Sequence, residues 1–311
     1  MLDAHQMNIF LTAADTLNFT EAAHRLHMSQ PSVSQHISTL EKHFGTKLFI
    51  RKGRSIVLSD AGRTLLPLAR RFVKQSTVID ETMSSLHGRI QGRIIMGCNA
   101  EIGKYILPIY LKQFHDAYPD ITITCRTRTC PGPVHSLLDG SLHFLVTNDT
   151  EELNRNFEVN PIAEEEIVLI VPPQHPWTDR DEVLVDDLLQ EHVILQDEES
   201  NFYQKVANAL YDKGVEISQL NTFLHLGNTE AIILSVEKGL GLGFAHRTIA
   251  NIIGDVRILP IKDLNITRTM YIARDKNQPA TAARQAFWEF MSKVNKEIQL
   301  NGVPRLNPNS G

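Results

Sequence analysis

Cysteine is scarce in this 311-residue chain: Cys98, Cys125 and Cys130 are an odd set, too few for a disulfide framework, and reduced thiols are expected. Cys125 and Cys130 have opposite parity along a regular strand, which argues against a redox pair between them. No apolar run approaches the ~18 residues that a spanning helix needs. The N-terminal run Met1-Leu2-Asp3-Ala4-His5-Gln6 has neither the basic nor the apolar region of a secretory signal, so a cytoplasmic location is expected. Hydrolase signatures are missing too, since neither Gly-x-Ser-x-Gly nor His-Glu-x-x-His occurs. Gly239-x-Gly241-x-Gly243 lacks a following Lys-Ser/Thr and reads as turn and close packing, not as a nucleotide loop. The 13 histidines are dispersed, and His24 and His27 have no third ligand beside them. Neither a metal, a cofactor nor an enzymatic activity is expected.

What remains is an ordinary globular composition, 42% hydrophobic and 22% charged, at a length that suits two or three domains of ~100–150 residues. The net charge of -5 hides an asymmetry. Residues 1–89 carry 11 Lys and Arg against 7 Asp and Glu, while the rest of the chain is acidic. One end is therefore suited to meet a polyanion.

Met7, Phe10, Leu11, Ala14 and Leu17 have the spacing of an amphipathic helix. Asn18-Phe19 breaks it, Thr20 is expected to cap a short second helix through Ala22, Ala23 and Leu26, and Ser29 to cap a third from about Pro31 to Phe44. Pro31 suits that helix's first turn, Val33, Ile37, Leu40 and Phe44 form its apolar stripe, and Gly45 ends it. Leu48–Ile50 and Ser55–Leu58 read as strands of a hairpin tipped by Arg51-Lys52-Gly53-Arg54. Three helices and a hairpin make a winged helix.

From 60 to 86 an apolar stripe recurs at Leu65, Ala69, Phe72, Ser76, Ile79, Met83 and Leu86, in steps of 4 and 3. It predicts a dimerisation seam, with Pro67 expected to kink the first turns; the alternative is a lone helix packed on its own domain. Beyond it, strands are expected at 93–97, 121–125, 144–146, 166–171, 193–195, 241–244 and 269–273. Helices are expected near 105–117, 134–138, 202–211, 230–238 and 282–299. The alternation predicts an α/β body with a mainly parallel sheet.

The polar face of the third helix carries short hydroxyls and one amide. Gln35 can pair with an adenine edge, and Lys42, Lys47, Arg51, Lys52 and Arg54 supply charge for phosphates. Candidate DNA contacts are Thr20, Gln30, Pro31, Ser32, Ser34, Gln35, Ser38, Arg51, Lys52 and Arg54.

The run 19–26 (Phe-Thr-Glu-Ala-Ala-His-Arg-Leu), followed by 28–37 (Met-Ser-Gln-Pro-Ser-Val-Ser-Gln-His-Ile), Leu40-Glu41 and 45–51 (Gly-Thr-Lys-Leu-Phe-Ile-Arg), resembles the LysR-type transcriptional regulators. The resemblance continues through 58–62, 66–70, 105–108, Tyr118-Pro119-Asp120, His175-Pro176, 227–231 and 239–243, and covers nearly the whole chain. It implies a winged helix-turn-helix DNA-binding domain at 1–59, a linker and dimerisation helix at 60–89, an effector-binding body at 90–300 and a frayed tail at 301–311. The body is expected to be periplasmic-binding-protein-like, with lobe I at 90–161 and 267–300 and lobe II at 162–266. Crossovers are expected near Pro161-Ile162 and Ile266-Thr267. The same resemblance implies a cytoplasmic bacterial homodimer or homotetramer on promoter double-stranded DNA, held together through Leu65, Phe72, Ile79, Met83 and Leu86.

By the same analogy a small effector sits between the lobes against Asn99, Ala100, Glu101, Thr147, Ser200, Asn228, Thr229 and His246. Helix N-termini favour anions, but Glu101 and the run Asp197-Glu198-Glu199 point to a neutral, zwitterionic or cationic effector. Alternatively these acids only cap helices. Two other classes rank lower: a solute receptor that uses its N-terminal helices for protein contacts, which would need a secretory signal, and an enzyme built on the α/β body, which would need a nucleophile–base pair that the sequence does not offer.

Overall fold

The computed structural model describes residues 2–52, 55–85, 90–127 and 132–301. The chain divides into two compact units, one formed by Met1–Gly92 with Pro279–Gln285, the other by Arg93–Gln278 with the chain from Ala286.

In the first unit, α1 (Ala4–Thr16), α2 (Phe19–Arg25) and α3 (Gln30–Phe44) precede a hairpin of β1 (Phe49–Lys52) and β2 (Ser55–Leu58). The three helices enclose one core built on Ile9, Phe10, Ala13, Val33, Ile37 and Leu40. Asn18, not Thr20, caps α2, accepting from Thr20 N at 2.9 Å and Glu21 N at 3.3 Å. The helix starts two residues early because Asn18, on extended backbone, already accepts both N–H groups; Phe19 then packs edge-on against Phe49, 5.3 Å between centroids. Ser29 caps α3 as expected, and Gly45 closes it at φ 64°. Phe44 is exposed rather than buried; Glu41, one step round the helix, points inward instead. The strands pair Phe49 with Leu58 and Lys52 with Ser55, so Arg51 and Lys52 lie in a strand and not at the tip, while Arg54 lies outside the described residues.

Helix α4 (Asp60–Ser85) runs through Pro67. Its first turn abuts the wing so closely that a Cβ at Gly62 would overlap the Leu48 carbonyl oxygen. The expected stripe is divided in use. Leu65, Ala69 and Val73 pack on the core of their own unit, whereas Phe72, Ile79 and Met83 are exposed at 41, 53 and 55%. Leu65 is therefore part of that core and not a free seam residue; Leu86 lies outside the described residues.

The second unit is built on a mixed sheet, not the mainly parallel one expected. Its strands are β3 (Gly92–Cys98), β4 (Ile121–Arg126), β5 (Phe144–Thr147), β6 (Phe157–Val171), β7 (His192–Gln196), β8 (Asn221–Leu226), β9 (Leu242–His246), β10 (Arg257–Leu259) and β11 (Ile266–Asp275). The order is β4-β3-β5-β11-β6-β9-β7-β8, with β10 also on β6. The antiparallel character comes from β6 and β11, which pair along their length and carry parallel groups on either side, β3 with β5 and β7 with both β8 and β9.

Helices α5 (Leu107–Ala117), α6 (Pro133–Leu138), α7 (Asn201–Tyr211), α8 (Thr229–Glu237), α9 (Arg247–Ala250) and α10 (Ala282–Asn301) cover the sheet. Their cores are separate on the two sides: Leu137, Leu142, Phe157 and Ala273 on one, Leu169, Val193, Phe202 and Phe244 on the other. The β6–β11 pairing contains a bulge, where Met270 faces Ala163 and Tyr271 faces Pro161, leaving Ile162 without a partner on β11. Ile266 and Thr267 pair with Ile167 and Glu166. Cys98 is buried and Cys125 exposed on neighbouring strands, and Cys130 lies outside the described residues.

Candidate functional site

Two surfaces carry the polar chemistry. In the first unit the α2–α3 link is tight: His27 adopts φ 53°, and Met28 N donates to Ala23 O at 2.9 Å. This turn holds α3 with Gln30, Pro31 and Gln35 exposed and Ser32, Ser34 and Ser38 half-buried along one side. Gln30 Nε2 donates to Ser34 Oγ at 2.8 Å, so Gln35 is the long amide free of that intrahelical bond. Thr20, Arg51 and Lys52 are exposed beside it. A groove of about 310 Å³ runs between Ser34 and Ser38 on α3 and Ile50, Arg51 and Ile56 on the wing.

The anchor of this surface is a residue that the periodicity did not single out. Glu41 is 9% exposed, and its Oε1 accepts from Leu48 N at 2.9 Å and Phe49 N at 3.3 Å, while Oε2 takes Lys47 Nζ at 2.7 Å. One carboxylate thus ties the end of the polar helix to the start of the wing. The signal available in the sequence is a charged residue one step from Leu40 on the buried side of the helix.

In the second unit a cleft of about 660 Å³ lies where the two sides of the sheet meet. Asn99, Ala100, Glu101, Ser200 and Asn228 line it, as expected from the sequence. Asn99 Oδ1 accepts from Ile102 N at 2.8 Å, opening a wide π-type turn at Ile102–Ile106. Ser200 and Asn228 cap α7 and α8. Three expected residues sit elsewhere. Thr147 does not line the cleft: its Oγ1 closes a turn, accepting from Asp149 N at 3.0 Å. Thr229 is buried behind the wall and contributes its backbone N–H. His246 lies beneath, in a chamber of about 20 Å³ that it shares with Asn148, Glu165 and Arg268.

Contacts across the cleft were not legible at all. Glu101 Oε1 accepts from Thr229 N at 3.3 Å, occupying the N-terminus of α8. Lys104 Nζ pairs with Glu230 at 2.8 Å, and Tyr105 donates to the same oxygen at 3.2 Å. Burial pushes Glu230 up, but its bonds, led by Lys104, outweigh this and hold its carboxyl below the usual value. Asn201 Nδ2 donates to Asp149 at 3.1 Å.

At the floor is a guanidinium. Arg268 is 9% exposed and lines both cleft and chamber, with Nη1 3.4 Å from His246 Nε2. Burial and the Arg268 charge push His246 down to about 3, so it is a neutral imidazole at ordinary pH. Burial lowers Arg268 as well, opposed by the charges of Glu101, Asp149 and Glu165. Glu165 is raised by burial, while both its oxygens accept from Thr248. The overlooked signal for Arg268 is parity: it shares the buried side of β11 with Ile266, Met270 and Ile272. Among the described residues no cluster could hold a metal ion, and no helix is long and apolar enough to cross a membrane.

A helix-turn-helix with a basic wing, followed by an α/β unit with a polar cleft of ligand size, defines a DNA-binding regulator with a small-molecule receptor in one chain. Residues 4–63 match the bacterial regulatory helix-turn-helix protein, lysR family, and residues 87–296 match the LysR substrate binding domain. The chain belongs to the LysR-type transcriptional regulators, which are not enzymes.

It is 31% identical over 293 residues to an uncharacterized HTH-type transcriptional regulator of Methanocaldococcus jannaschii, covering 92% of this chain and 97% of that one. A probable RuBisCO transcriptional regulator of Thalassiosira pseudonana is 28% identical over 290 residues, with 91% and 94% covered. Among solved structures, full-length CbnR complexed with its target DNA shares the fold at TM-score 0.63 and 20% identity, covering 94% of this chain and 100% of that chain. HinK, a LysR family transcriptional regulator from Pseudomonas aeruginosa, does so at TM-score 0.58 and 21% identity, with 96% and 100% covered.

Proposed function

We propose that two copies of this chain join through the exposed half of α4 and place two α3 helices on promoter half-sites. A small molecule in the cleft then changes how the subunits are arranged and how the DNA is bent. Gln35 reads a base edge, flanked by Thr20, Gln30, Pro31, Ser32, Ser34 and Ser38; Arg51, Lys52 and Arg54 hold phosphates. Asn99, Ala100, Glu101, Ser200 and Asn228 meet the effector. The chain acts in the cytoplasm, as a dimer or tetramer.

The observation that carries this reading is the cleft itself. Its walls are joined by Glu101 to Thr229, Lys104 to Glu230 and Asn201 to Asp149, contacts that a ligand can replace and so alter the state of the unit. The stripe of Phe72, Ile79 and Met83 supports self-association, since three large apolar side chains stand exposed on one helix.

Footprinting of the full chain on captured genomic fragments tests the DNA half. Gln35→Ala should relax base preference at one position of each half-site, and Arg51→Ala should weaken all sequences and flatten the salt slope by ~1. Equal weakening of every site by both variants would mean that α3 is not the reading element.

A further inference from the structure

Arg268 and Glu101 carry opposite charges at one cleft and do not pair. Among the described residues Arg268 forms no ion pair within 4.0 Å, and its one hydrogen-bond contact is His246. The same imidazole nitrogen lies 3.7 Å from Glu101 Oε2. A neutral ring is thus wedged between a guanidinium and a carboxylate. It is itself fixed from behind by Phe202, edge-on at 5.1 Å. If Nε2 accepts from Arg268, the proton is on Nδ1, and Nδ1 is buried with no partner, so the ring has no competing bond to turn it.

We propose that the effector is a small zwitterion, bound with its carboxylate on Arg268 and its cationic group on Glu101. This rests on the cleft being the effector site. A guanidinium has five N–H donors in a planar fork that suits a carboxylate, and Arg268 presents the unused ones where it lines the cleft. The other obvious anion site is taken: Glu101 already sits on the N-terminus of α8. A dicarboxylate would set its second charge against Glu101, and a diamine would set one against Arg268. A neutral ligand would leave the buried Arg268 and the half-buried Glu101 each without a charged group in direct contact. The rest of the lining adds no net charge, because Lys104 and Glu230 neutralise each other.

Calorimetry on the full chain tests this with four panels: zwitterions (the L-α-amino acids, β-alanine, 4-aminobutyrate and glycine betaine), dicarboxylates, diamines and neutral polyols. A zwitterion should bind. Its carboxamide and its hydroxy-acid counterpart should each bind about tenfold more weakly or worse, as loss of one charge-assisted contact requires. Glu101→Gln keeps an acceptor for Thr229 N and removes the charge, and should weaken the zwitterion by a similar factor. Arg268→Gln should do the same, and Arg268→Lys, which keeps the charge but not the fork, should fall between if the glutamine variant does not fold. Preference for a dicarboxylate, diamine or polyol, altered in Glu101→Gln or in the Arg268 variants, would overturn the zwitterion and leave the cleft standing. Undiminished zwitterion binding in both Glu101→Gln and the Arg268 variants would overturn the assignment of the two contacts. Binding from none of the panels would overturn the cleft as effector site.

Discussion

Two buried charges, one in each unit, are treated in opposite ways. Glu41 receives two backbone N–H groups and a lysine from its own chain, and is complete as folded. Arg268, buried to the same 9%, is met by one neutral nitrogen and otherwise opens on a cleft. The first arrangement is a joint in the framework. The second leaves donors of the guanidinium without a direct acceptor, its nearby carboxylates Glu101, Asp149 and Glu165 acting only through their charge, and so suits a receptor.

The contrast can be broken by a pair of substitutions. Glu41→Ala leaves two backbone donors without an acceptor at the base of the wing and should destabilise the chain by about 2–4 kcal/mol in urea unfolding. Arg268→Gln should cost less than about 1 kcal/mol in the same measurement, since few bonds are lost with the charge. A reversed order would make Arg268 the framework residue.

A second measurement sharpens the receptor side. His246 is held down at about 3 in the folded chain, against an ordinary value near 6.5 when unfolded. Between those limits the unfolded form binds the proton that the folded form refuses, so this stability is present above about pH 6.5 and is lost as pH falls towards 3. Glu165, raised by burial, works in the other direction. The groups facing the ring are Arg268, Glu101, Glu165 and Phe202. Urea midpoints at about pH 7 and about pH 5 should therefore converge in His246→Asn relative to the parent, with Glu165 common to both. Unchanged pH dependence would place the ring in contact with water. Ser29, whose Oγ accepts from Ser32 N at 3.3 Å, is a local cap, and Ser29→Ala should cost about 1 kcal/mol in the same unfolding assay.

The reading unit was the more legible half. Its helices follow the apolar period, and Ser29, Pro31 and Gly45 mark the ends of α3. Asn18 and Thr20 are both competent caps, and in the fold the Asn18 side chain takes the free N–H groups while Phe19 packs on Phe49. In the other unit the stretch of β6 before Glu166 carries Asn160, Pro161, Glu158, Glu164 and Glu165, which blur the apolar alternation; pairing with β11 imposes the strand. β8 alternates exposed and half-buried residues at a sheet edge, too weak a pattern to stand out. The cleft contacts join residues far apart in the chain, Lys104 with Glu230 and Asn201 with Asp149, and no local spacing encodes them.

The bonds from Lys104 and Tyr105 to Glu230, and from Glu101 to α8, set a threshold as well as a shape. Whatever free energy these links give to the vacant arrangement is subtracted from the apparent affinity of a ligand that requires another. Because Lys104 and Glu230 satisfy each other, strengthening or loosening that pair would shift the concentration at which the regulator responds without altering which molecule it recognises. On that proposal the Lys104–Glu230 pair tunes sensitivity apart from selectivity, whereas Glu101 serves both.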